Sequence, residues 1–170
     1  MRWYYHCDRL GMLVWQDQVS GGAPYNPIVI QILPAIGINL PDKYYSLFGR
    51  SSELGRQNYY RDLQRMIELL YNTPCISTWV PFNEGWGQFD SDKVYQELKR
   101  EDPSRIFDAT SGWFESSLSD VTSKHVYFKK INIKPSSKPI ILSEFGGYVY
   151  KDLEHSFNKK KTYGYKIYKD

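Results

Sequence analysis

The stretch that decides the reading is WVPFNEGWGQFD, residues 79–90. It is apolar at first and turns abruptly polar at Asn83-Glu84. Glu84 stands between an asparagine and a glycine, with Phe82, Trp86 and Phe89 nearby. An apolar run ending in a carboxylate and a glycine is the pattern of a buried strand at its C-terminal end. The apolar part packs, and the glycine lets the chain turn and a ligand approach the backbone. Pro81 counts against a long strand, because it cannot donate to a sheet ladder; it is tolerated where the strand is ending.

Working outward, the same pattern recurs. MLVWQD (12–17), ISTWVPFNE (76–84), RIFDAT (105–110), KHVYF (124–128) and KPIILSEF (138–145) each read as a short strand. Between the first two, SSELGRQNYYRDLQRMIELLYN (51–72) places Tyr59, Leu63, Met66, Ile67 and Leu70 at helical spacing, with Ser51 or Ser52 as cap and Pro74 beyond the end. SDKVYQELKRED (91–102) is a second helix capped by Asp90 or Ser91, and residues 1–11 end a helix at Gly11. Residues 18–52, rich in Gly, Pro, Ser and Asn, read as a long excursion of the functional or disordered kind. Strands alternating with helices or loops predict an α/β domain with a parallel sheet, in which chemistry gathers at the strand ends. Those ends carry Asp17, Asn83-Glu84, Asp108 with Trp113 beyond it, His125 and Tyr127, and Glu144.

Glu84 and Glu144 both follow an apolar run and precede a glycine. Two facing carboxyl groups are the equipment of glycosidases. One must be protonated while the other is ionised, which burial and a neighbouring charge achieve for the first and hydrogen bonds for the second. By spacing alone, solvated loop glutamates or ion-pair partners fit as well.

Composition narrows the classes. The 170 residues, 41% of them hydrophobic, suffice for one domain with its own core. A net charge of +3 is too mild to imply nucleic acid. The basic excess lies late, in FNKKKTYGYKIYKD (157–170), which reads as a solvated surface or frayed end. Cys7 and Cys75 form no CxxC and read as buried free thiols, which permits a reducing compartment. No membrane span is expected, since PIVIQILPAIGINL (27–40) is too short and interrupted. MRWYYHCDRL lacks the apolar segment of a signal peptide, so the chain leans soluble and cytoplasmic.

The wording of the motifs is more specific than their spacing. YYHCDRLGMLVWQD (4–17), WVPFNEGWGQFD (79–90), SRIFDATSGW (104–113), HVY (125–127) and KPIILSEFGGY (138–148) occur in an order that resembles the catalytic domain of glycoside hydrolase family 2, which includes β-galactosidases, β-glucuronidases and β-mannosidases. The resemblance implies a (β/α)8 TIM barrel, here incomplete, with approximately strands three to seven and the intervening helices. It implies Glu84 as acid/base, Glu144 as nucleophile, Asn83 as a ligand of the sugar 2-hydroxyl and Tyr127, on the sixth strand, as the group holding Glu144 ionised. His125, Trp86, Trp113 and Asp17 become candidate pocket walls; packing serves as well for the tryptophans, and a structural hydrogen bond for His125. The substrate would be a β-glycoside or oligosaccharide, with no cofactor and no metal.

A full barrel takes about 250 residues, so residues 1–170 are expected to be a fragment of such a domain, with no second domain. Two open sheet edges would then look for the missing strands or for another copy of the chain. Activity of the piece alone is expected to be little or none, and a remnant that at most binds carbohydrate is the alternative. A metal-dependent hydrolase built on Asp17, Glu84, Asp108 and His125 is a third reading, which no HxxH or HxH spacing supports.

Overall fold

A computed structural model describes residues 1–168. The chain opens with α1 (Arg2–Leu10), ended by Gly11 at φ 65°, where Gly11 N–H donates to Asp8 O and Met12 N–H to Cys7 O. Then come β1 (Val14–Asp17), a π-helical segment at Ile28–Ile32 and a single turn, α2 (Leu33–Ala35). The main body follows as α3 (Glu53–Leu70), β2 (Ile76–Val80), β3 (Phe82–Asn83), α4 (Ser91–Glu101), β4 (Ile106–Phe107) and β5 (Thr110–Ser111). The last elements are β6 (Thr122–Val126), β7 (Ile140–Phe145), β8 (Tyr148–Tyr150) and β9 (Lys166–Tyr168). Among the described residues no helix is long and apolar enough to cross a membrane.

Every strand pair is parallel. β2 lies between β1 and β4, with Asp17 opposite Val80 and Trp79 opposite Phe107. Pro81, lacking an N–H, interrupts the ladder, which resumes as β3 against β5, Asn83 opposite Ser111. β6 joins β5 through side chains, Ser123 Oγ accepting from Gly112 N–H at 3.0 Å. β7 then pairs with β6, and a bulge between Ser123 and His125 sets His125 opposite Glu144. Neighbouring strands thus follow chain order, and their C-terminal ends share one edge. Among the described residues no helix connects β5 to β6 or β6 to β7, and the helices between strands lie in the first part of the chain.

The core lies under that edge. Thr78, Trp79 and Val80 of β2 are all buried, as expected of a strand covered on both faces. α3 contributes Leu63 and Ile67, α4 contributes Leu98, and these pack with Trp79, Phe82 and Phe107 in one cluster. Ser52 caps α3, its Oγ accepting from Gly55 N–H at 3.1 Å. At α4 the expected local cap is replaced by a distant one. Asp90 adopts φ 42° and accepts from Tyr45 Oη, while Asp42 Oδ2 takes Ser91 N–H and Oγ–H at 3.0 and 2.6 Å.

The excursion is not a loose loop. Its Val29, Ile30 and Phe48 form a second cluster with Phe114, against which Trp86 and Trp113 pack. Nor is the basic tail frayed throughout, since Lys166–Tyr168 pairs with Tyr148–Tyr150; Lys169 and Asp170 lie outside the described residues. Both cysteines are buried and free.

One polar knot ties the layers. Asp102, wholly buried, takes hydrogen bonds from Trp79 Nε1 at 2.8 Å, Arg105 Nη1 at 2.6 Å and Ser104 Oγ at 2.5 Å. Arg105 also donates to the carbonyls of Ile76, Tyr71 and Thr73, joining the start of β2 to the end of α3. Asp102→Ala would leave a guanidinium and an indole N–H without their acceptor. It is expected to cost about 3–5 kcal/mol in urea unfolding, well above a surface substitution.

Asp108 follows β4 and is buried, with Ser123 Oγ donating to Oδ1 at 2.9 Å and no partner for Oδ2 among the described residues. Desolvation pushes its carboxyl up to about 6, against weaker lowering by Ser123, Ser111 and His125. The folded state therefore holds a proton that the unfolded chain releases near the ordinary carboxylate range. That stabilisation is complete below this range and is lost as pH rises through about 6. Asp92, Asp102 and Asp120, whose carboxyls are lowered, act in the opposite sense and only at more acid pH. Thermal midpoints measured from pH 5 to 7.5 should fall with rising pH, and Asp108→Asn should flatten that slope, by on the order of 2 kcal/mol across the window.

Candidate functional site

Glu84 leaves β3 with its N–H donating to Ser111 O at 2.8 Å, and it adopts φ 52°, the left-handed region that a side chain enters at a cost. Gly85 and the loop to Gln88 hold that turn against Phe114 and the excursion. The result is a carboxylate aimed across the strand ends rather than along them.

Three donors converge on it. His125 Nδ1 lies 2.8 Å from Glu84 Oε1, Tyr127 Oη lies 2.8 Å from the same oxygen, and Trp86 Nε1 reaches Oε2 at 3.4 Å. Burial pushes the Glu84 carboxyl up, but hydrogen bonds from His125 and Tyr127, the charge of His125 and Trp86 outweigh it, and the net direction is down. Tyr127 Oη also forms a very short hydrogen bond to Glu144 Oε2, and His125 Nε2 stands 3.6 Å from Glu144 Oε1. Burial and the two carboxylates push the Tyr127 phenol far up, so it stays protonated. A phenol has one proton. With both carboxylates in reach, one contact takes that proton and the other is satisfied when the carboxyl supplies its own.

The imidazole is fixed from behind. The His125 side chain is buried, Ser111 Oγ lies 3.1 Å from its Nε2, and its ring packs against Gly112, where a Cβ would come within 2.4 Å. Only glycine, here at φ 86°, leaves that space.

One oxygen of Glu84, one of Glu144 and one ring nitrogen of His125 lie within 4.8 Å of one another. That spacing would also suit a metal ion, although the Tyr127 hydroxyl already engages both carboxylates. It draws in Glu144 and leaves out both Asp17 and Asp108, unlike the four-residue metal set read from the sequence.

The remaining residues separate into two groups. Asp17 ends β1 opposite Val80 and is exposed. Desolvation first, then Glu144 and Asp108, push its carboxyl up to about 6. Asn83 faces Ser111 across the ladder, and its Oδ1 is buried without a partner among the described residues. Trp113 instead packs with the excursion cluster, and among the described residues no hydrogen bond ties its side chain to either glutamate. Trp86 does both, donating to Glu84 while its ring meets Tyr25 edge-on at 5.2 Å. Tyr127 lies one residue past the end of β6 rather than on it. Sequence reasoning missed Ser111 and Gly112, whose roles appear only once His125 is placed on top of them, and Tyr165, whose ring covers Tyr127.

Comparison with known proteins agrees in kind. A β-galactosidase of Leuconostoc mesenteroides subsp. mesenteroides is 26% identical over 177 aligned positions, covering 93% of this chain and 15% of that protein. Two β-galactosidases of Klebsiella pneumoniae are 26% identical over 125 positions, covering 71% of this chain and 10% of theirs. No family model matches the chain. The chain thus spans 15% or less of the length of these relatives, and the likeness supports a glycosidase-like relationship at that coarse level.

Proposed function

We propose that the chain is part of the catalytic domain of a retaining β-glycosidase of the glycoside hydrolase family 2 type, β-galactosidase-like, and that its parallel strands in chain order form an arc of a (β/α)8 barrel. The observation that carries this reading is the carboxylate pair. Oxygens of Glu84 and Glu144 lie within 4.8 Å, bridged by one hydroxyl. Retaining enzymes hold the two groups about 5–5.5 Å apart, whereas inverting enzymes need about 6.5–9.5 Å to admit a water.

In this mechanism Glu144 attacks the anomeric carbon while Glu84 delivers its proton to the leaving oxygen. The carbon–oxygen bond breaks and a glycosyl ester on Glu144 forms. Glu84, now a carboxylate, takes a proton from water as that water displaces Glu144 with a second inversion. Tyr127, released from Glu84 when the substrate oxygen arrives, serves Glu144 alone. The orphaned Asn83 Oδ1 accepts from a sugar hydroxyl. Beyond β1 the described residues supply no further strand, and beyond β7 only the short β8–β9 pair; positioning is worth several kcal/mol of barrier, so turnover by this chain alone is slow. A second reading has one observation in its favour. Three donors hold Glu84 toward its ionised form, as suits a site that binds sugar without cleaving it.

Covalent trapping separates the two. A galactosyl fluoride carrying fluorine beside the anomeric carbon should label Glu144, seen by mass spectrometry of the digested protein. The label should be absent in Glu144→Gln and kept in Glu84→Gln, because fluoride leaves without an acid. An unlabelled wild-type chain would remove the catalytic reading. For a phenyl glycoside, Glu84→Gln should lower kcat/KM by about 10²–10⁴. Carboxyl-carbon NMR should show Glu84 titrating below the ordinary glutamate range. Tyr127→Phe, which removes one lowering hydrogen bond, should move that titration to higher pH.

A further inference from the structure

The proposed reaction makes no use of the aromatic C-terminal stretch, yet the fold brings it to the site. Tyr165 precedes β9, its N–H donates to Gly147 O at 2.8 Å, and its ring lies over Tyr127 with centroids 4.5 Å apart and planes at 33°. This approach needs two positions without side chains. A Cβ on Gly147 would come within 2.3 Å of the Tyr165 ring, and one on Gly164 within 2.5 Å of Val149. Phe128 meets Tyr165 edge-on at 4.9 Å, and Tyr163 meets it at 6.1 Å. Aromatic rings are therefore in continuous contact from the phenol that bridges Glu84 and Glu144 out to Phe128 and Tyr163. Those last two are 67% and 84% exposed. Rings that served the core would be covered; these present free surface beside the reacting carboxylates.

We propose that Phe128, Tyr163 and Tyr165 form a platform for a second sugar unit, adjoining the one held between Glu84 and Glu144, so that the substrate class is a β-linked oligosaccharide rather than the glycoside of a single sugar. A pyranose has an apolar face of weakly positive C–H groups, which packs on the negative face of an aromatic ring while its hydroxyls stay in water. The platform's continuity with the carboxylate pair selects this occupant. The inference rests on the reading of that pair as a glycosidase site.

The test is an NMR titration of the full 170-residue chain with methyl β-galactoside and with β-linked galactotriose, on the wild type and on the double variant Phe128→Ala/Tyr163→Ala, whose rings are too exposed for the fold to need them. Galactotriose should bind about tenfold more tightly than the methyl glycoside. The double variant should lose that advantage and keep its affinity for the methyl glycoside. Equal affinity of the wild type for both sugars, or an advantage that survives the double variant, overturns the platform and leaves the glycosidase reading standing. If neither sugar binds, both fall. Concentration-dependent self-association that disappears in the double variant, with no triose advantage, assigns the surface to a second copy and overturns the proposal.

Discussion

The rest of the structure depends on one constraint: from β1 to β7, with β2–β3 and β4–β5 each an interrupted strand, successive strands lie side by side and run the same way. Parallel neighbours cannot be joined by tight turns, so each return must pass outside the sheet. The returns from β1 to β2 and from β3 to β4 contain α3 and α4, whose apolar stripes cover Trp79, Phe82 and Phe107. The same constraint delivers every strand end to one edge. Glu84 and Glu144, far apart in sequence, meet there because their strands start from the opposite edge.

At that edge the groups are held by exchange rather than by simple ion pairing. His125 lies between the two carboxylates, and so does the Tyr127 hydroxyl. Each therefore couples the protonation of one glutamate to that of the other. Around them, Asp108 has a raised carboxyl chiefly because burial removes its water, and the exposed Asp17 is raised by partial desolvation and by its neighbours Glu144 and Asp108. A cluster of this kind has few positions for charge and several for protons. It suits a reaction in which a proton leaves and returns while the net charge of the site stays fixed.

Much of this was legible in the sequence, and the parts that were not share a cause. The helix over Glu53–Leu70, its Ser52 cap and the Gly11 stop were visible because local spacing and local capping determine them. Glu84 and Glu144 were visible as polar residues at the ends of apolar runs. The cap of α4 was not, because Asp42 reaches it from the excursion, where no short-range pattern points to it. The excursion itself reads as loop because Gly and Pro dominate it, yet Val29, Ile30 and Phe48 are few enough to hide there and apolar enough to make a second core. For Trp113, where pocket wall and packing both fitted the sequence, the structure gives packing on that second core. Tyr165 was hidden in a lysine-rich tail, where composition suggests solvent and only the glycine positions across from it hint at close packing.

Pro81 has a consequence for how this chain can change. It separates a lower tier, where β1, β2 and β4 share one ladder, from an upper tier of β3 and β5 that carries Glu84, Ser111 and Gly112. Substitutions at Glu84, Ser111 or Gly112 lie outside the backbone pairing of the lower ladder, whereas Phe82 ties the upper tier into the same apolar cluster as Trp79 and Phe107 below. The proline gives the strands a joint: backbone pairing breaks at a residue that cannot donate to the ladder, while the apolar core runs on beneath it without a break.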